Sequence, residues 1–324
     1  MEKKTYSNLI VSSAPHIVTS TDTTKIMAMV IMALIPSFLV SVYVFGMRVI
    51  TLTLVCIVAS MFFEWGYNKL MKKTQTVGDL SAALTGLLIA FNVPSGLPIW
   101  IAILGCFIAI IIVKQLYGGI GKNLVNPAIT ARIVLFISFA TEMTTWPIPK
   151  MGADAVSTAT PLGILTEGGE LPNNMELFLG FVGGSMGEVS AIALLIGGLF
   201  LIWKKIISPI IPACFIGTVA VFAFAYYSIS GTGDGLQMAI FHVFAGGVML
   251  GAFFMATDYV TTPLLPMGKV IFGIGCGLIT MLIRVFGSYP EGVSFSILLM
   301  NVLTPLIDNF CQKRMYGGAK KNEK

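Results

Sequence analysis

Asn92-Val93-Pro94-Ser95-Gly96-Leu97-Pro98 interrupts an apolar run that begins near Leu80 and resumes through Trp100. Proline lacks a backbone N–H and restricts the residue before it, and glycine loosens the chain, so no helix continues through this stretch. It reads as a short helix, a break and a second helix. Phe244–Lys269 repeats the plan, with Asp258-Tyr259-Val260-Thr261-Thr262-Pro263 as its break. The span after each break ends in a polar turn, Gly118-Gly119-Ile120-Gly121-Lys122-Asn123 in one half and Gly287-Ser288-Tyr289-Pro290-Glu291-Gly292 in the other. Broken helices at membrane depth are tolerated where protein or a wet cavity surrounds them. The placing of the breaks therefore suggests two related halves around a common centre.

Working outward, apolar runs mark ten spans: 26–47, 49–68, 79–93, 97–117, 127–143, 188–203, 206–229, 236–256, 266–286 and 293–311. A straight helix needs about 20 residues to cross a bilayer. The runs at 79–93, 127–143 and 188–203 fall short, as do segments that line a central site rather than face lipid. Five spans per half is an odd number, so the second copy must enter the membrane upside down. Composition agrees with a membrane solvent. Only 11% of the 324 residues are charged and the mean hydropathy is +0.89, against about 25% charged in soluble domains. The expected fold is an all-α integral membrane protein of about ten transmembrane helices in two inverted five-helix repeats with short or broken central helices. Its expected parts are an N-terminal segment 1–25, a repeat 26–143, a loop 144–187, a repeat 188–311 and a basic tail 312–324. The first residues lack the apolar core and cleavage site of a signal peptide.

Orientation follows the basic residues. With a cytoplasmic N-terminus, ten spans put 16 of the 20 Lys and Arg residues inside, leaving Arg48, Arg132, Lys150 and Arg284 outside or within the membrane. Both termini are then cytoplasmic and the loop 144–187 is extracytoplasmic. The net charge of +5 reflects this topology rather than a nucleic-acid partner.

That loop is the longest polar interval of the chain, and loops of such length are usually functional or disordered. Small residues around Thr160 leave its hydroxyl accessible, and Pro161 biases it toward extended backbone. The plain alternative is a solvated loop with ordinary turn chemistry. The five cysteines lie in apolar segments with no C-x-x-C pair, and His16 and His242 are far apart, so no metal site is expected. Any redox centre must be an organic cofactor or lie on a partner.

Four polar features fall inside or beside the spans. Gly118–Asn123 leads through Asn126-Pro127-Ala128 into the fifth span; this is either a tight turn with an Asn cap or a helix start whose N–H groups meet a phosphate or a polarised carbonyl. Arg132, about a turn and a half further in, costs several kcal/mol unless it faces protein or water. A cofactor phosphate, a cofactor carbonyl or a carboxylate such as Asp258 would satisfy it. Arg284 near a span end is expected to snorkel, and Glu188 is expected to open the sixth span, favoured by its dipole.

Ser157-Thr158-Ala159-Thr160-Pro161-Leu162, with Asp154 three residues before Ser157, resembles the flavin-attachment motif of the D-type member of the Rnf electron-transport complex. The B-type member of the sodium-pumping NADH:quinone reductase has a similar motif. The resemblance extends to Ala14-Pro15-His16, Asn126-Pro127-Ala128, Phe253–Asp258, Ser288–Val293 and Leu298–Asn301, so it runs from about residue 8 to about residue 312. Two departures are Thr158, a second hydroxyl within the motif, and Tyr259, where a Pro often follows the Asp.

The resemblance implies FMN held as a phosphoester on Thr160, the residue before Pro161-Leu162, with Asp154, Ser157 and Thr158 beside it. Asn123, Asn126, Arg132 and Asp258 are further candidate cofactor contacts, and a second, non-covalent flavin such as riboflavin between the repeats stays open. It further implies a redox subunit of an ion-translocating (Na+ or H+) ferredoxin:NAD+ oxidoreductase in a bacterial cell membrane, not a stand-alone enzyme. Partners would be other membrane and peripheral subunits, including iron–sulfur and flavin subunits. A tether makes sense outside the cytoplasm, where it fixes a high effective concentration of a scarce cofactor. The rival readings are an inverted-repeat channel or secondary transporter without cofactor, and a purely structural scaffold.

Overall fold

The computed structural model describes residues 22–147, 157–169, 171–180, 182–188, 190–231, 233–287 and 291–312. These are mostly helical, and each of the ten apolar runs contains helix. The first half holds α1 (Thr23–Phe45), α2 (Arg48–Leu70), α3 (Ser81–Phe91), α4 (Ile99–Gln115) and α5 (Pro127–Ser138), followed by the short α6 (Ala140–Thr144). In α4 the winding loosens to a π-helix over Ile108–Gln115. The second half holds α9 (Ala191–Trp203), α10 (Ile210–Ser230), α11 (Gly235–Phe244), α12 (Val248–Met255), α13 (Pro266–Phe286) and α14 (Val293–Gln312). Between the halves lie α7 (Pro161–Glu167) and α8 (Asn174–Leu179), with an antiparallel ladder of β1 (Trp146–Pro147) and β2 (Ser157–Thr158).

Five helices (α1, α2, α10, α13 and α14) are long and apolar enough to cross a bilayer, and α11 with α12, bent by 61° between them, is long and apolar enough only when the two are taken together. That bend is a correction to the reading of 236–256 as one uninterrupted run. It falls at Ala245-Gly246-Gly247, where Gly246 and Gly247 take φ of +66° and +72° and turn the chain through a conformation that L side chains resist. The two breaks expected from proline and glycine lie between α3 and α4 and between α12 and α13.

Arg48 at the start of α2 meets residues 95–97 after α3, and Arg132 gathers Glu188 and Glu291, which marks one face, here the loop face; the turns after α4, α9 and α12 line one cavity at a second, here the turn face. Each half is knitted internally: α2 packs on α3 and α4, and α10 on α11 and α13. The halves meet where α1 packs on α9 and α5 on α14. At the first seam a Cβ on Gly197 would overlap the Ala33 carbonyl, so the two helices approach at backbone distance. One buried apolar cluster runs through both halves, from Leu34 and Phe91 to Phe215, Phe272 and Ile297. A smaller one, Leu162, Leu177, Met238, Phe241 and Ala245, fastens α7 and α8 to α11. The interval 144–187 thus has structure that its sequence did not announce.

Candidate functional site

At the loop face the polar chemistry centres on Arg132. Asn126 starts α5, its Oδ1 accepting from the N–H groups of Ala128 (3.0 Å) and Ile129 (3.3 Å), with Pro127 as the first helical residue. The helix so aimed carries Arg132 into protein, where it is only 6% exposed. Its guanidinium donates to Asn92 Oδ1 (3.1 Å), Ser294 Oγ (3.1 Å) and Glu188 Oε1 (3.0 Å) and forms a second ion pair with Glu291. Asn92 closes α3, whereas Glu188, Glu291 and Ser294 lie at the starts of α9 and α14, so Arg132 ties the first half to the second. Removing one partner of such a buried pair costs about 3–5 kcal/mol, because the other charge is left uncompensated.

Two expectations are corrected here. Glu188 does not open a helix: α9 begins at Ala191 under a Ser190 cap, and Glu188 pairs with Arg132 instead. Arg284 does not snorkel: it is 6% exposed and donates to the carbonyls of His242 (2.6 Å), Ala245 (2.8 Å), Gly246 (3.1 Å) and Glu291 (3.2 Å). These include carbonyls freed by the break between α11 and α12, which have no helical partner.

Thr160 lies beside this network. It lines a small cleft with Gly183, Gly184, Gly246, Glu188 and Glu291, so the two carboxylates that hold Arg132 also face the Thr160 neighbourhood. Its hydroxyl is half-buried and accepts from the Gly163 N–H at 3.1 Å as the cap of α7, with Pro161 as the first helical residue. A phosphoester fits this geometry in one respect, since an ester oxygen still accepts from Gly163. The neighbouring Gly184 offers room as well, because a Cβ there would meet no atom within 4 Å. Ser157 and Thr158 form β2, paired with Trp146–Pro147. Asp154 lies outside the described residues, as do Ala14-Pro15-His16, Lys150 and Ser288-Tyr289-Pro290.

At the turn face a cavity of about 390 Å³ opens between the halves, within the size range of small-molecule sites. Asn123, Asn126 and Asp258 all line it, together with Lys114, Ser81 and Phe254. Three of the eight residues singled out in the sequence therefore meet here, while Arg132 is directed to the other face and pairs with Glu188 and Glu291 rather than Asp258. The Asn126 amide donates to Met255 O at 3.3 Å, and Asn123 donates to Val125 O at 3.2 Å. Burial pushes the Asp258 carboxyl above its usual range, opposed by N–H and hydroxyl donors from Val260, Thr261 and Tyr259.

The sequence reading missed one buried ion pair. Lys114, counted there among the charges of the cytoplasmic face, is 4% exposed and holds Glu64, 0% exposed, at 3.1 Å. Lys114 also donates to Ser81 Oγ at 2.6 Å. A lone acid in one span and a lone base in another were the available signal. Between the two faces, Asn92 bonds Arg132 on one side and donates to Met255 Sδ at 3.6 Å on the other.

Comparison of its sequence with known proteins places the chain in a family. The NQR2, RnfD, RnfE family model matches residues 10–317. The chain is similar to the D subunit of the Na(+)-translocating ferredoxin:NAD(+) oxidoreductase complex of Acetobacterium woodii, 49% identical over 317 residues that cover 97% of this chain and 96% of that protein. It is also similar to the D subunit of the proton-translocating ferredoxin:NAD(+) oxidoreductase complex of Clostridium ljungdahlii, 44% identical over 320 residues, 95% of this chain and 96% of that one. The D subunit of the ion-translocating oxidoreductase complex of Stutzerimonas stutzeri is 38% identical over 326 residues, covering 90% and 92%. With nearly the whole chain matched, it belongs to the NQR2, RnfD, RnfE family.

Proposed function

We propose that this chain is the D-type membrane subunit of an ion-translocating ferredoxin:NAD+ oxidoreductase complex, carrying FMN as a phosphoester on Thr160. The observation that carries the reading is the near full-length similarity to proteins bearing that name. Those two relatives are named for different ions at comparable identity, so overall likeness does not choose between Na+ and H+. FMN, when bound, accepts and passes on electrons. Thr160 is its anchor, held in register by the α7 cap and by Leu162 in the apolar cluster of α8 and α11. Arg132, Glu188, Glu291 and Arg284 supply fixed charge beside the anchor without reacting themselves.

The turn-face cavity is the place for a second, non-covalent flavin of the riboflavin kind. Among the described residues lining it, Lys114 is the single cation, and it is already engaged by Glu64 and Ser81. A phosphate would find no free cation among these residues, whereas a neutral ring with a polar edge suits apolar walls and the Asn123 amide. Iron–sulfur and flavin subunits of the complex would deliver and remove the electrons.

The same reading takes the ten helical runs as two inverted repeats of five spans, with both termini cytoplasmic, the loop face extracytoplasmic and the membrane that of a bacterial cell. Its support is the repeated packing plan: α2 against α3 and α4 in one half, α10 against α11 and α13 in the other. Membrane-impermeant thiol labelling tests it. Gly168→Cys should react from outside and Lys72→Cys only from inside; reversed labelling removes the proposed outer location of Thr160.

Intact mass and in-gel fluorescence of the denatured chain test the flavin. The wild-type chain is expected to carry one FMN, and Thr160→Ala none, with membrane insertion unchanged. FMN mapped to Thr158, or retained by Thr160→Ala, overturns the assignment. A cofactor-free transporter or a scaffold would show no covalent flavin at all.

A further inference from the structure

We infer that Arg284 is a positioning residue for the Thr160 anchor: it holds open the Gly246–Gly247 break on which the Thr160-Pro161-Leu162 segment is seated. This rests on Thr160 being the flavin anchor for its functional meaning, but its geometry does not depend on the flavin. The break frees backbone carbonyls inside a membrane protein, where each unmet group is costly. Arg284, in the last turn of α13, reaches across and donates to His242, Ala245 and Gly246 O with its two terminal nitrogens. Its Nε donates to Glu291 O at 3.2 Å, which fixes the strand of chain entering α14. Five N–H donors in a rigid fork suit this task, and no other side chain has them.

The seat itself is specific. Leu162 is 2% exposed and lies so close to Gly246 that a Cβ there would overlap its Cδ1 and stand 2.8 Å from Arg284 Nη2. Beside it, a Cβ on Gly247 would overlap the Glu188 carboxylate. Thr160, Ala245, Gly246 and Glu291 then line one cleft. Three of its walls are therefore fastened by one guanidinium: the end of α11, the bend, and the Glu291 segment. Arg284 touches no described atom of Thr160, so its action runs through the backbone it holds.

Hydrogen exchange on the full-length chain in detergent reads the seat without reference to any cofactor. The amides of 160–168 include those of Gly163 and Ile164, bonded to the Thr160 hydroxyl and carbonyl. In Arg284→Gln these amides should exchange about tenfold faster while peptides of α1 and α2 keep their wild-type rates, because opening is local. Arg284→Lys, with three donors for four carbonyls, should recover part of the protection. Gly246→Ala should accelerate the same amides with Arg284 in place, and it decides the matter if Arg284→Gln does not fold. Unchanged protection of 160–168 in a folded Arg284→Gln or Gly246→Ala chain overturns the proposal, as does equal acceleration everywhere. FMN per chain, measured by intact mass, is the second readout and should fall in both variants. If the wild-type chain carries no FMN, the flavin reading fails while the exchange result still judges the seat.

Discussion

The break between α3 and α4 and the break between α11 and α12 solve one problem by different means. Each frees carbonyls where a helix would have paired them, and each is served by one arginine. At the first, Arg48 donates to Ser95 O (2.9 Å), Gly96 O (3.2 Å) and Leu97 O (3.4 Å) from an exposed helix end. At the second, Arg284 does so from full burial. The intervening loop is strapped to both: Pro147 lies against Gly96, and Leu162 against Gly246. Solvent reaches the first arginine and not the second: Arg48 is exposed and Arg284 buried, although Ser95 and Leu97 at the first break are themselves buried. Carbonyls near an exposed arginine can be taken over by solvent, whereas those under Arg284 have no replacement. The second break is accordingly expected to open less readily, and it is the one beside Thr160.

Arg132 joins the two, since it bonds Asn92 at the first break and Glu291, which Arg284 holds, at the second. Its loss should have the largest effect of any single change here. Arg132→Leu takes the ion-pair partner from Glu188 and Glu291 and leaves Arg284 as the nearby cation, and a loss of about 3–5 kcal/mol is expected. Melting in detergent should show it, with partial recovery in Arg132→Leu combined with Glu291→Gln. Where such complexes assemble, FMN should remain attached while electron transfer slows. Normal stability and turnover would mean that the two breaks are independent.

Next in size is Arg284→Gln. The charge removed is partnered mainly by neutral carbonyls, so no opposite charge is left as exposed to its own burial as in Arg132→Leu. Several acceptors are nevertheless left short, and about 3 kcal/mol is expected from one to two unmet groups. A loss below that of the corresponding change at Arg48 would dissolve the contrast between a wet and a dry break.

The sequence foretold the first break and not the second, for a physical reason. Pro94 and Pro98 forbid helix, and their meaning is local. Ala245-Gly246-Gly247 merely permits a bend; the carbonyls it frees are met by Arg284 from another helix, a tertiary partner that no local pattern records. The same holds for Glu64 and Lys114, separately visible as charges in apolar runs but linked only by packing. The topology rule contained one further clue. Arg48, Arg132 and Arg284 were three of the four basic residues that it left away from the cytoplasmic side, and all three prove to hold backbone or carboxylates at the loop face. The motif and its proline single out Thr160, and the structure sets it in a cleft. Its neighbours were not, because Glu188, Glu291 and Gly246 reach it from three separate parts of the chain.

Arg48→Gln should have the smallest effect. Three carbonyls lose a donor, but Arg48 is exposed and its longest bond, at 3.4 Å, is already weak. Water at a helix end replaces such donors at little cost, so the loss in melting stability should stay within about 1 kcal/mol. Some local loosening is still expected, because Arg48 is the described side chain that ties the start of α2 to the 95–97 carbonyls. Hydrogen exchange of Leu97, whose amide bonds Pro94 O at 3.1 Å, should therefore quicken before the chain melts. The amides of 160–168 should not respond, since their seat lies on the other break. A loss of about 3 kcal/mol or more, on the scale of the dry break, or faster exchange at 160–168, would show that the loop strap couples the two breaks strongly and that Arg48 acts on the Thr160 segment through Pro147.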